Sequence, residues 1–183
     1  MNKSVETLRQ VAACDAAGEY DEAVNLLATA TQAGDLVAMT ALGKRLLVGD
    51  RAPYLPKEGA GMVIEAANKG VPEAMAQVAV FQGIGIYQQK SWQHCLNTLT
   101  WAARLGWLPA REQLLLLHGH SIAETNTQLQ QAGDTFWLQL GQSLDISPWF
   151  KPDAGDALSA EPRVQRFQQF IPLNICEWLI RQS

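Results

Sequence analysis

The chain has 183 residues, which suits one compact domain or one short array with a small appendage. It is 48 % hydrophobic and 17 % charged, ample apolar material for a core and too little charge for a disordered chain. A net charge of −4 with no Lys/Arg run argues against a nucleic-acid partner. The longest apolar stretches fall far short of a bilayer span and the opening MNKSVETLRQVAACDAAG has no apolar h-region, so neither a membrane partner nor a signal peptide is expected and the cytoplasm is the expected location.

In chain order, the first predicted helices cover 3–17 and 20–33, joined by the tight turn AAGEYDEA at 16–23. The segment ATQAGDLVA at 30–38 then has two relatives, AANKGVPEA at 66–74 and AARLGWLPA at 102–110, each 36 residues on. Ala30, Ala66 and Ala102 fall in one column, Gly34, Gly70 and Gly106 in a second, and Ala38, Ala74 and Ala110 in a third. Leu27, Val63 and Leu99 share a column, as do Leu42, Val78 and Leu114. A period of this size marks a stacked helical array.

Each relative reads as a joint. An apolar helix ends at a Gly, which can take the left-handed cap conformation without a Cβ penalty. The next helix starts at once, with Pro72 or Pro109 in its first turn, where a missing N–H costs nothing. Flanking Ala lets the backbones approach. Further helices are predicted over 36–48, 57–69, 72–83, 92–105 and 108–118, with RAPYLPKEG at 51–59 and GIGIYQQKS at 83–91 as the longer turns within a pair. Ser91 is the expected N-cap of the helix carrying Trp92, His94 and Trp101. The register slips upstream of Tyr20, as a terminal capping repeat would.

From about 118 the period fails. The stretch 118–144 can form one or two helices with Ile122, Leu129, Phe136, Trp137 and Leu140 facing inward, and 145–162 reads as a linker that anchors Trp149 or Phe150. Val164, Arg166, Gln168 and Phe170 alternate as one side of an extended strand. Pro172 then opens a helix with Ile175, Cys176, Leu179 and Ile180 as its apolar stripe, and the sequence stops within that stripe, so it reads as cut. The expected organisation is a repeat domain over 1–141, a linker over 142–161 and a further segment over 162–183.

The run Ala38-Met-Thr-Ala-Leu-Gly43 with Leu46 and Gly49, followed by Glu65-Ala-Ala-Asn-Lys-Gly70, resembles the Sel1-like repeat family, helical-hairpin repeats related to tetratricopeptide repeats. The next repeat departs at Ala79 and Gln82 and recovers at Trp101-Ala-Ala-Arg-Leu-Gly106, and the family's Trp-Tyr pair is replaced by Met62-Val63 and Thr98-Leu99. The resemblance covers roughly 20–117. It implies an all-α fold, a right-handed superhelical array of antiparallel helix pairs (an α-solenoid), here with a short C-terminal strand–helix appendage. It also implies an adaptor that binds a protein or peptide partner, or a downstream domain of the same chain, on a concave face. The column of Arg45, Phe81 and Leu117 and the column of Met39, Met75 and Arg111 are the candidates for lining that groove.

Pro162-Arg163-Val164, Phe170-Ile171 and Cys176-Glu-Trp-Leu179-Ile180 are similar to the opening of prolyl 4-hydroxylase-like, Fe(II)- and 2-oxoglutarate-dependent oxygenase domains. That resemblance implies an alternative function, the N-terminal substrate-positioning part of such an enzyme. Fe(II) and 2-oxoglutarate would then belong to a longer parent. An iron site needs two His and a carboxylate on one face. His118-Gly-His120 lacks the His-x-Asp pattern and no later His follows, so this chain is expected to hold no cofactor and no metal and to be no enzyme as it stands.

His118 and His120 could share a side only in extended backbone; the plain reading is a solvated helix-end loop. His94 beside Cys95 is no nucleophile pair, because adjacent helical residues do not face each other. Cys95 falls in the column of Ala23 and Gly59, a small packed position, and with Cys14 and Cys176 is expected as a packed free thiol. The six Trp are expected mostly in the core, with one or two on a binding face.

Overall fold

The computed structural model describes residues 3–121, 129, 132–147, 155–167 and 171–182. The described elements are α1 (Lys3–Ala17), α2 (Tyr20–Gln32), α3 (Leu36–Val48), α4 (Pro56–Asn68), α5 (Pro72–Ile84), α6 (Trp92–Arg104), α7 (Leu108–Leu117), α8 (Asp134–Ser143), β1 (Asp156–Ser159), β2 (Val164–Arg166) and α9 (Leu173–Gln182). Two compact units result, residues 1–107 and 108–183. The division falls inside the segment 1–141 that the sequence suggested as one repeat domain.

The first unit is an all-α array of helix pairs, α1 with α2, α3 with α4 and α5 with α6. Its joints repeat bond for bond. At the first, Gly34 N–H donates to Thr31 O and Asp35 N–H to Ala30 O; at the second, Gly70 donates to Ala67 and Val71 to Ala66; at the third, Gly106 donates to Ala103 and Trp107 to Ala102. Each is a Schellman cap, which satisfies carbonyls that a helix end would otherwise leave unpaired. Gly70 sits there at φ +91°, and a side chain would be strained in that conformation even though space is open around it. Asp35 also starts the next helix: its carboxylate accepts from the N–H groups of Val37 and Ala38 at 3.0 and 3.1 Å. Ser91 caps α6 by accepting from His94 N–H at 3.2 Å, as the sequence predicts.

The longer turns repeat as well. Gly49 and Gly85 end α3 and α5 in the left-handed region. Leu55 N–H then donates back to Leu46 O at 3.0 Å and Ser91 N–H to Gln82 O at 2.8 Å, two bonds one period apart. Arg51 and Tyr87, also one period apart, are non-glycine residues at φ +53° and +59°.

Packing follows the columns. Leu27, Val63 and Leu99 are buried, as are Leu42, Val78 and Leu114 and the six alanines of the joint columns, Ala30, Ala38, Ala66, Ala74, Ala102 and Ala110. One core cluster joins Val11, Leu27, Leu42 and Leu46 across α1, α2 and α3. A second joins Met39, Val63, Val78 and Phe81 across α3, α4 and α5. Burying an aliphatic or aromatic side chain of this size contributes about 1.5–3 kcal/mol. The closest approach is between α3 and α4, where Gly43 and Gly59 face each other. A Cβ built on Gly59 would stand 2.5 Å from Gly43 O, so the crossing requires a residue without one.

The second unit holds α7, α8, the hairpin and α9. Leu114 and Leu115 of α7 and Trp137 of α8 are fully buried, and Leu140 nearly so, as expected for the inward face of 118–144. Phe136 is half-buried and meets the Trp137 ring edge-on at 5.0 Å; Leu129 is also half-buried. Ile122, Trp149, Phe150, Gln168 and Phe170 lie outside the described residues. β1 pairs antiparallel with β2, Ala157 opposite Gln165, so the stretch read as a linker contains a strand. The reason it escaped the sequence reading is its composition, DALS, which has no β-branched residue and no alternation. The helix after Pro172 forms, but with a rotated face. Asn174 Nδ2 donates to Leu116 O and His120 O, and Trp178 is half-buried. Of the expected stripe, Ile175 and Cys176 are half-buried while Leu179 and Ile180 are exposed.

Candidate functional site

The first helix of each pair leaves one stripe outside the core. On α3 it runs through Val37, Ala41, Lys44 and Val48; on α5, one period later, through Glu73, Gln77, Val80 and Ile84. The spacing, steps of four, three and four residues, places each set on one helix face. Burial repeats too: the first two positions of each stripe are half-buried and the last two exposed. Lys44 Nζ donates to Glu73 Oε1 at 2.6 Å, tying the α3 stripe to the start of α5. Beyond this ion pair and Gln77 the stripes carry aliphatic side chains, with Val48 72 %, Val80 50 % and Ile84 54 % exposed. The adjoining turns add the exposed side chains of Tyr54, Ile86 and Tyr87. The Tyr87 ring stands edge-on to the buried Phe81 ring at 5.4 Å, which anchors that turn to the core.

The face is held at its other side by an ion pair between α1 and α3. Arg45 makes a two-pronged contact to Asp15, with Nη1 3.0 Å from Oδ1 and Nη2 on Oδ2. These hydrogen bonds, more than the bare attraction of the guanidinium, hold the Asp15 carboxyl below its usual range against the opposing pull of burial; Arg51 adds a weaker attraction at 3.9 Å. Arg51 also lies over the Tyr20 ring at 5.5 Å.

Of the side chains expected in a groove, Met39 and Phe81 are core residues at 8 % and 5 % exposure. Met75 is half-buried against the same core. Arg45 spends its guanidinium on Asp15. Arg111 belongs to the second unit, where it lies over the buried Trp137 ring at 5.0 Å. The two chosen columns therefore point into the core or into fixed contacts. α3 packs against α2 as well as α4, so its buried face is wider than one stripe, and Met39 joins the cluster with Val63, Val78 and Phe81. The face that is open, through Lys44, Val48, Val80 and Ile84, was missed. Its signal is readable: apolar residues at columns shared by Val48 and Ile84 that fall outside the buried columns.

Among the tryptophans, Trp137 is the one in the core of the described residues, contrary to the expectation for most of the six. Trp92 and Trp101 are exposed on α6, and Arg104 covers the Trp101 ring at 4.2 Å. Trp107 and Trp178 are half-buried.

The titratable candidates are arranged as follows. His118 and His120 stack with ring centroids 5.8 Å apart. The left-handed Gly119 between them, at φ +91°, turns the chain so that the rings meet, which neither a regular helix nor the loop reading anticipated. His118 Nε2 lies 3.3 Å from Ser143 Oγ, and Ser143 Oγ is 3.0 Å from Leu140 O. Cys95 is half-buried, and burial pushes its thiol up, away from the thiolate that nucleophilic chemistry requires. All three cysteines are free. Among the described residues no three His, Cys, Asp or Glu side chains gather as a metal site would need, and no helix is long and apolar enough to cross a membrane.

No family model, curated protein or solved structure matches the chain. The functional reading rests on the geometry of the faces just described.

Proposed function

We propose that this chain is a non-catalytic helical-repeat module whose α3–α5 face binds a protein or peptide. The observation that supports this reading is the repeated stripe: two successive repeats expose an aliphatic residue in the same column, Val48 and Ile84, with Val80 one turn before Ile84, next to turns that expose Tyr54 and Tyr87. Scattered exposed apolar residues need no explanation, but a contiguous set carried by a repeat is how such arrays build a binding surface. The Sel1-like resemblance points the same way, and a reducing, cytoplasmic setting with no nucleic-acid or membrane partner belongs to the same proposal. Benzoylphenylalanine placed at Ile84 in the source cells tests it. Irradiation is expected to attach a second polypeptide, whereas the same group at the exposed Glu58, on α4, is expected to give none. Equal labelling at the two positions, or none at Ile84, contradicts the reading.

A second reading, the N-terminal substrate-positioning part of a prolyl 4-hydroxylase-like oxygenase, is favoured by one observation in the second unit. Ile171, Leu173, Leu179 and Ile180 are exposed, and so is nearly every residue of the two-stranded hairpin. An isolated two-stranded hairpin is marginal in water, so packing by a further domain would stabilise it. The donor set here does not fit an Fe(II) centre, and any iron and 2-oxoglutarate would be held by residues of a longer parent. Turnover of 2-oxoglutarate by a longer form of the protein would support this reading, and a longer form without a His-x-Asp and a later His would remove it.

A further inference from the structure

We draw no further inference here: the strongest candidate, the apolar surface patch of Val48, Val80 and Ile84 on α3 and α5 with the exposed Asp50, Arg51 and Lys90 in the adjoining turns, belongs to the face already described, and nothing in the structure shows what covers it.

Discussion

At the scale of single residues, two side chains carry sharp expectations. Asp15 is a half-buried carboxylate whose folded form titrates below its ordinary value because Arg45 donates hydrogen bonds to it. A depressed carboxyl stabilises the fold fully above its unfolded value, and that contribution is lost as pH falls through the folded value. Asp15→Asn is therefore expected to lower unfolding free energy by about 1–2 kcal/mol at pH 7, with the gap to the parent closing below about pH 4. Urea melts at pH 7 and pH 3 check this, and a gap that is the same at both would remove the ion pair from the account. Arg51 is a different case. Its φ of +53° costs a residue with a Cβ about 1 kcal/mol, and its contacts are a ring at 5.5 Å and carboxylates at 3.9 Å, both weak at an exposed site. Arg51→Gly is expected to raise stability by up to about 1 kcal/mol, after the greater unfolded-state freedom of glycine is deducted. A lower melting temperature for this variant would show that those contacts outweigh the backbone strain.

At the scale of elements, the α3–α4 crossing is the most demanding feature. Gly59→Ala would place a Cβ 2.5 Å from Gly43 O and 2.8 Å from Leu47 N, both backbone atoms that cannot swing aside. The two helices would have to separate, at about 2–3 kcal/mol. Gly61→Ala, two residues on in the same helix and facing open space, is expected to be neutral or slightly stabilising; equal losses at the two sites would show that the crossing is not tight. The helices themselves were legible in the sequence to within a residue or so, because glycine caps, first-turn prolines and a strict period all mark boundaries locally. The hairpin was half legible. Val164 to Arg166 alternates in a recognisable way, but its partner strand, Asp156 to Ser159, lacks β-forming residues and is fixed by pairing rather than by its own propensity. The left-handed Arg51 and Tyr87 were not legible at all, since no glycine announces them.

At the scale of the whole molecule, periodicity identifies which residues are equivalent but not which equivalent set is open. The column logic identified Leu27, Val63 and Leu99 as equivalent, and all three are buried. It then offered Met39 and Phe81 as groove residues, because it could not say that α3 and α5 are each packed on two sides. Exposure of a stripe depends on how far a neighbouring helix covers it, a tertiary quantity set by crossings such as Gly43–Gly59. The second unit breaks the period altogether, and its stacked histidines follow from the left-handed turn at Gly119, which repeat reasoning does not reach. The central claim is that the α3–α5 face is where a partner sits. The most direct measurement is a ¹⁵N amide shift map of the chain titrated with a peptide selected for binding it. The account predicts shifts concentrated on Lys44, Val48, Glu73, Gln77, Val80 and Ile84 and on the adjoining turns at Tyr54 and Tyr87. Shifts confined to the outer face of α6 around Trp101, or to the groove between α1 and α2 lined by Thr7, Gln10 and Asn25, would contradict it.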